Sequence, residues 1–190
     1  MLETDLIEAS NAGNFNAFEK LIKMYESRVY NFFVKMCNDQ NIAEDMMQET
    51  FINVYKNLKH FKGNSKFSTW MFQIAINNCL IHKRKNQTEV LGLDDNRYVV
   101  EPIFQIKTID AWQFDPAILY EKKELKDKLN ESLQKLPSIY RSVFVLKDIE
   151  GFKAQEIAEI LSISLANVKA RILRARFMLK DLLSEVFFKS

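Results

Sequence analysis

The chain has 190 residues, 47% of them hydrophobic and 27% charged, the composition of a globular protein and not of a disordered or fibrous one. A formal net charge of +2 excludes a chain-wide polycation, yet the charge is unevenly spread: six Lys/Arg stand against nine Asp/Glu from Met1 to His60, whereas Ser164 to Lys180 carries five Lys/Arg and no acid. No run of about 18 apolar residues suggests a membrane span, and Met1-Leu2-Glu3-Thr4-Asp5 lacks the basic and apolar regions of a secretory signal, so the expectation is a cytoplasmic protein with no membrane insertion of its own.

With four Gly and three Pro and little period-two alternation, the pattern predicts an all-α chain. Phe18, Leu21, Ile22, Tyr25, Val29, Phe32, Phe33 and Met36 recur at helical steps and predict one long amphipathic helix from about Asn16 to Cys37. Asn41-Ile42-Ala43-Glu44 reads as a capping box, in which Asn41 accepts from a free amide and Glu44 reaches back; a second helix follows to about His60. Lys62-Gly63-Asn64-Ser65-Lys66 is a turn. A third helix, about Phe67 to Lys85, carries Trp70, Met71, Ile74, Ala75 and Leu80.

Helical periodicity is lost from Asn86 to about Phe114, where Gly92, Asp94-Asp95-Asn96 and Pro102 occur. At roughly 30 residues this stretch is too long for a tight connection inside one compact fold and reads as an interdomain linker. Its apolar Val99, Val100, Ile103, Phe104 and Ile106 predict that it lies against something. The second half opens on Asp115-Pro116, a cap followed by a first-turn proline. That helix continues to Leu136 and stops at Pro137. Ser138 then caps a helix through about Lys147, Gly151 breaks it, and two more follow, about Ala154–Leu161 and Leu165–Phe187, separated by Ser162-Ile163-Ser164. The expected organisation is two small helical domains, 1–86 and 115–190, joined by a linker over 87–114.

The segment from Lys153 to Lys180 has the build of a helix-turn-helix. Ile157, Ala158 and Leu161 are predicted to point inward, Ile163 sits between two serines, and Ser164 caps the next helix. Val168, Ile172 and Ala175 form that helix's core face. Asn167, Lys169, Ala170, Arg171, Leu173, Arg174 and Arg176 remain, four of them cations, which suits a helix laid in the major groove. A merely solvated basic helix is the competing reading; the short preceding helix and capped turn weigh against it. At about 100° per residue the four cations cannot all face one base pair; Lys169, nearer the helix start, and Arg174, over a turn later, are expected on the stripe that reaches base edges or a phosphate. Arg171 and Arg176 lie off it, Arg176 being the better candidate for a phosphate or an internal ion pair.

A second constellation surrounds Gly63. Phe61, Phe67 and Trp70 flank the loop, Asn77 lies two turns down the third helix, and His82-Lys83-Arg84-Lys85 closes that helix. Rings beside cations suit single-stranded bases; aromatics at helical spacing equally suit a core, and a basic helix end equally offsets the dipole. Both readings stay open on these residues alone. Cys37 and Cys79 are far apart and do not pair with His60 or His82 at any metal-ligand spacing, so reduced structural thiols are expected. With no Gly-rich phosphate loop and no nucleophile–base motif, the sequence predicts no catalytic residue, no metal and no cofactor.

Taken together, these pieces resemble the bacterial RNA polymerase sigma factors of the extracytoplasmic-function type. Ala43-Glu44-Asp45-Met46-Met47-Gln48-Glu49-Thr50-Phe51 is similar to that family's clamp-binding helix. Phe61-Lys62-Gly63-Asn64-Ser65-Lys66-Phe67-Ser68-Thr69-Trp70 resembles its promoter-melting loop, and Ile74-Ala75-Ile76-Asn77-Asn78 with the basic run after it continues the match. Leu133-Gln134-Lys135-Leu136-Pro137, Tyr140-Arg141 and Val168-Lys169-Ala170-Arg171-Ile172-Leu173-Arg174-Ala175-Arg176 resemble the domain that reads the upstream promoter element. The order and spacing leave no room for the extra domain of larger sigma factors.

The resemblance implies core RNA polymerase, promoter DNA and an anti-sigma factor as partners. It implies polymerase binding by Asp45, Gln48 and Glu49, and −10 element contacts from Phe61, Lys62, Asn64, Ser65, Lys66, Trp70, Asn77, Lys83, Arg84 and Lys85. Contacts to the −35 element would come from Ser164, Asn167, Lys169, Ala170, Arg171, Leu173, Arg174 and Arg176. Ala170 and Leu173 depart from the polar or aromatic side chains common in relatives; Ala170 cannot hydrogen-bond a base, which leaves more to DNA shape. The runner-up is a helix-turn-helix regulator that binds operator DNA without polymerase.

Overall fold

The computed structural model describes residues 2–85 and 123–187, and the regular elements among them are all helical. The chain divides into two compact units. The expected linker, 87–114, and the Asp115-Pro116 helix start lie outside the described residues.

The N-terminal unit comprises α1 (Glu3–Asn11), α2 (Phe15–Lys23), α3 (Glu26–Cys37), α4 (Gln40–Asn57), a single 3-10 turn (Leu58–His60) and α5 (Phe67–Lys85). Helix α1 was not anticipated, because it buries little: Leu6 and Ser10 are its buried residues. Tertiary contact holds it, the Tyr25 hydroxyl donating to Glu3 Oε2 at 2.8 Å.

The single helix expected over 16–37 is two helices. Asn14 caps α2 by accepting from the Ala17 amide at 3.1 Å, as its short polar side chain favours. At Tyr25 the backbone departs from helical values (φ −116°, ψ −11°), and its amide bonds the Ile22 carbonyl, three residues back, at 2.9 Å. The apolar spacing of Leu21, Tyr25 and Val29 runs straight across this break, and all three are buried.

The expected Asn41/Glu44 capping box is also corrected. Helix α3 ends on Asn38 in the left-handed conformation (φ 56°), a role Asn tolerates better than most residues. Asp39 follows at once as the cap of α4, its carboxylate accepting from the Asn41 and Ile42 amides at 2.8 and 3.0 Å. The amides are claimed two residues upstream of the predicted cap.

The core of this unit gathers Phe32, Phe33, Met36, Met46, Val54, Met71 and Phe72, each at most 2% exposed. Phe32 packs against Phe33 and Phe72 with ring centroids 5.4 and 5.3 Å apart. Burying each such side chain stabilises the fold by about 1.5–3 kcal/mol. One polar feature interrupts this core. Asn78 on α5 donates to Thr50 Oγ1 on α4 at 2.9 Å and accepts from Asn53 at 3.1 Å, while Thr50 donates to the Met46 carbonyl.

The C-terminal half of the described chain comprises α6 (Lys123–Lys135), α7 (Ser138–Phe144) running into a π-helical turn (Val145–Ile149), α8 (Ala154–Leu161) and α9 (Leu165–Phe187). Ser138 is the first residue of α7 and not its cap. Pro137 occupies that position without a side-chain bond, and its carbonyl accepts from the Tyr140 and Arg141 amides. Arg141, 8% exposed, closes the end of α6 by donating to the Gln134 and Leu136 carbonyls at 2.7 and 3.0 Å. A guanidinium there satisfies terminal carbonyls and offsets the helix dipole. Helix α9 packs on α7 and α6, burying Val168, Ala175 and Leu179 completely.

Gly151 stands at φ +75° between the π turn and α8, a conformation that favours glycine. Helix α8 ends on Ser162, also left-handed at φ 53°, with the Ile163 amide bonding the Ala158 carbonyl and the Ser162 amide that of Glu159. This is the double-bonded C-terminal turn usually built on Gly or Asn. Ser164 then caps α9, its Oγ accepting from the Asn167 amide at 3.2 Å.

Candidate nucleic-acid interface

Three exposed surfaces carry the residues singled out in the sequence. The first is on α4. Asp45, Gln48 and Glu49 are exposed, while Ala43, Met46, Thr50 and Val54 fill the opposite side. The exposed stripe continues at the same spacing to Ile52, 52% exposed, and Tyr55, 47% exposed. Tyr55 meets Phe18 edge-on at 4.9 Å and the outlying Phe15 at 6.1 Å. Ile52 and Tyr55 were not anticipated; their signal was the spacing, Ile52 lying three and four residues beyond Glu49 and Gln48, and Tyr55 three beyond Ile52.

The second surface is built on the loop before α5. Gly63, at φ +71°, turns a segment in which Lys62, Asn64 and Lys66 are exposed and Ser65 is half-buried. Phe61, Phe67 and Trp70 form one aromatic cluster, with centroid separations of 5.6 Å (Phe61–Phe67), 5.2 Å (Phe61–Trp70) and 5.8 Å (Phe67–Trp70). Phe67 is its buried root, 2% exposed, and packs on Tyr25 at 5.6 Å. Phe61 and Trp70 remain half-exposed. One ring of the cluster therefore serves the core, and two reach the surface. Asn77 is exposed, seven residues beyond Trp70 and so on nearly the same side of α5, about 10 Å farther along at 1.5 Å per residue. Its neighbour Asn78 is the buried one. Lys83, Arg84 and Lys85 form the last turn of α5; their side chains lie outside the described residues.

The third surface is α9. Val168, Ile172 and Ala175 face inward as expected. On α8 the buried residues are Ile157, Ala158 and Ile160, with Leu161 only half-buried; Ile160 repeats the three-residue step from Ile157 in a helix that ends one residue later. The cations divide sharply. Lys169 and Arg174 are exposed. Arg171 is 5% exposed; burial lowers its affinity for the proton, and nearby Tyr140 acts the other way. Its expected place on the outer face is corrected: it follows Val168 by three residues and precedes Ala175 by four, which is the packed side. Arg176 is turned to Asp148, donating from Nε to Oδ2 at 3.2 Å and from Nη2 to Oδ1.

Asn167 is half-buried and its Oδ1 is shut away from solvent. The outward strip that remains is Ala166, Lys169, Ala170, Leu173, Arg174 and Phe177, with Leu173 46% and Phe177 43% exposed. Among the described residues no group of His, Cys, Asp and Glu is placed to hold a metal, and no helix is long and apolar enough to cross a membrane.

Comparison with known proteins bears on both units. Sigma-70 region 2 matches residues 21–89, and Sigma-70 region 4 matches residues 126–179. The chain is 33% identical over 180 residues to the ECF RNA polymerase sigma factor SigW of Bacillus subtilis, covering 95% of this chain and 96% of that one. It is 34% identical over 164 residues to SigM of the same organism, covering 86% and 93%. Among solved structures, CnrH in complex with the cytosolic domain of CnrY shares the fold with a TM-score of 0.65 at 24% identity, over 95% of this chain and 96% of that one. The sigma factor RpoE of Bartonella quintana, solved with the anti-sigma factor NepR, does so with a TM-score of 0.65 at 22% identity, over 88% and 96%.

Proposed function

The chain belongs to the sigma-70 family, as an RNA polymerase sigma factor of the extracytoplasmic-function type, and from this premise we propose how its residues divide the work. A sigma factor binds core polymerase and directs promoter recognition and melting; it contributes binding, while bond formation belongs to the polymerase. The cytoplasm, where promoter DNA is, is the proposed location. The two domains are proposed to span 1–86 and 115–190.

Asp45, Gln48 and Glu49 dock on the polymerase. Their exposure on one side of a helix whose other side is wholly packed supports this, as does the local excess of acid: that surface is suited to a basic protein partner and unsuited to DNA. The loop at Gly63 takes the −10 element. Phe61 and Trp70 offer rings on which an extruded base can stack, Lys62, Asn64, Ser65 and Lys66 border them, and Asn77 offers an amide to a base edge. Extrusion costs a few kcal/mol of stacking, which such contacts offset. Lys83, Arg84 and Lys85 supply charge for the phosphates beyond.

Helix α9 takes the −35 element. The observation that carries this assignment is the division among four of its five cations: Lys169 and Arg174 stay on the open side while Arg171 and Arg176 serve the fold. Ser164 caps the helix start through the Asn167 amide, and its exposed side chain there is placed to meet a phosphate, as residues at the start of recognition helices commonly do. Asn167 joins Arg171 and Arg176 in the supporting role. An anti-sigma protein is proposed as the regulating partner, covering the surfaces that polymerase and promoter need.

Reconstitution tests the reading. The purified chain, added to bacterial core polymerase, should give promoter-dependent initiation, and the chain alone should bind the same promoter far more weakly. Strong, polymerase-independent operator binding would favour a free-standing regulator instead.

A further inference from the structure

We infer that Leu173, with Ala166 and Ala170 beside it, reads the C5-methyl groups of thymines in the −35 element; this rests on α9 being the DNA-contacting helix. At 100° per residue, Ala166, Ala170 and Leu173 fall within about 60° of one another, with Lys169 on one flank and Arg174 on the other. A lone exposed leucine is unremarkable on a protein surface. This one, 46% exposed, stands between two exposed cations that commit their side of the helix to a polyanion. If Lys169 and Arg174 reach toward the phosphate walls of the groove, the strip between them lies over its floor.

That strip contains no hydrogen-bonding side chain. Arg171 is buried, Arg176 is held by Asp148, and the acceptor of Asn167 is shut in. Two methyls and an isobutyl group cannot read the donor and acceptor pattern by which most base edges are distinguished. Thymine alone among the four bases presents an apolar group in the major groove. The alanines are short enough to let the helix backbone approach the base edges, and Leu173, about two turns from the helix start, projects from it, with Phe177, 43% exposed, one turn farther along.

The test uses holoenzyme. A −35 sequence is first selected by the holoenzyme from randomised duplexes, and each of its thymines is then replaced singly by deoxyuridine, which removes only the methyl. At one or two positions the replacement should weaken binding about fourfold, the worth of one buried carbon. Holoenzyme carrying Leu173→Ala should bind the thymine and uracil duplexes equally at those positions. Arg174→Ala should weaken both and keep their ratio. Leu173 is exposed, so its truncation leaves the fold intact, which an unchanged thermal midpoint verifies. A selected element with no thymine, no thymine whose methyl matters, or a methyl preference that survives Leu173→Ala would each overturn the inference. If Lys169→Ala and Arg174→Ala also leave −35 binding unchanged, the assignment of α9 itself falls; if they weaken it, only the reading of Leu173 does.

Discussion

Arg176 on α9 grips Asp148 on the π turn 28 residues earlier, two nitrogens to two oxygens, with the carboxylate side chain only 8% exposed. A planar guanidinium matched to a carboxylate in this manner fixes orientation as well as charge. It makes Arg176 a structural cation on the helix proposed to meet DNA.

Arg176→Ala should therefore cost about 3 kcal/mol of stability, because it strands a nearly buried carboxylate. Replacing Arg176 and Asp148 together by Met and Leu should recover most of that loss. In promoter binding at permissive temperature, Arg174→Ala should flatten the dependence of log K on log salt by about 0.9, the share of one phosphate; Arg176→Ala should leave the slope as it is. Urea unfolding and a salt series on the holoenzymes check the two halves.

Charge reversal at Asp45 and Glu49 should weaken core-polymerase binding at least tenfold, equivalent to about 1.4 kcal/mol, without change in helical content, since both side chains are exposed. Ile52→Ala, on the same stripe, should weaken it less and without added salt dependence. Titration of fluorescent chain with core enzyme, at two salt concentrations, measures both. Undiminished binding by the double reversal would remove α4 from the interface.

Asn77 and Asn78 are neighbours with opposite surroundings, and their alanine variants should separate. Asn77→Ala is expected to leave stability within about 0.5 kcal/mol and to impair strand opening, read as permanganate reactivity of unpaired thymines, more than closed-complex formation. Asn78→Ala should cost about 2–3 kcal/mol, since it leaves the buried Thr50 hydroxyl without its donor and the half-buried Asn53 amide without its acceptor. Equal loss of both complexes in Asn77→Ala would make that residue structural.

Tyr25 should make the N-terminal unit sensitive to alkali. Burial first, and then its hydrogen bond to Glu3, push its hydroxyl well above the usual tyrosine range. The unfolded chain releases this proton near pH 10 while the folded chain retains it. The stabilisation is therefore complete below pH 10 and declines as pH rises above it, by up to about 1.4 kcal/mol per unit. Tyr25→Phe should cost about 1 kcal/mol at pH 7, from the lost hydrogen bond, and should show a shallower decline above pH 10. Urea midpoints of both proteins between pH 9 and 11 decide it.

Helices whose apolar period is bounded by clear punctuation were legible in the sequence. The limits of α5 and α9 agree with expectation, because Gly63 with its polar neighbours and Ser164 each leave one place for the helix to begin. The break at Tyr25 was hidden because every third or fourth residue stays apolar through it; a tertiary bond to Glu3, which no local pattern records, holds the break. Asp39 outcompetes Asn41 as the cap of α4 only because Asn38 adopts the left-handed conformation just before it. Arg171 was misplaced because charge predicts exposure on average, whereas here position on the helix prevails over side-chain type. The aromatic loop and the acidic stripe on α4 were found as residue sets. Which of their members face outward became clear only with the packing.

The contact of Asn78 with Thr50 and Asn53 has a mechanical consequence. Apolar side chains tolerate sliding, since one contact replaces another at little cost. A buried amide matched to a hydroxyl and a second amide does not, because a shift of one residue would leave several polar atoms dry and unmatched. Helices α4 and α5 therefore have a single register. A displacement of α4 cannot be absorbed as slip between the two helices; α5 moves with it, and Trp70 and Asn77 move with α5.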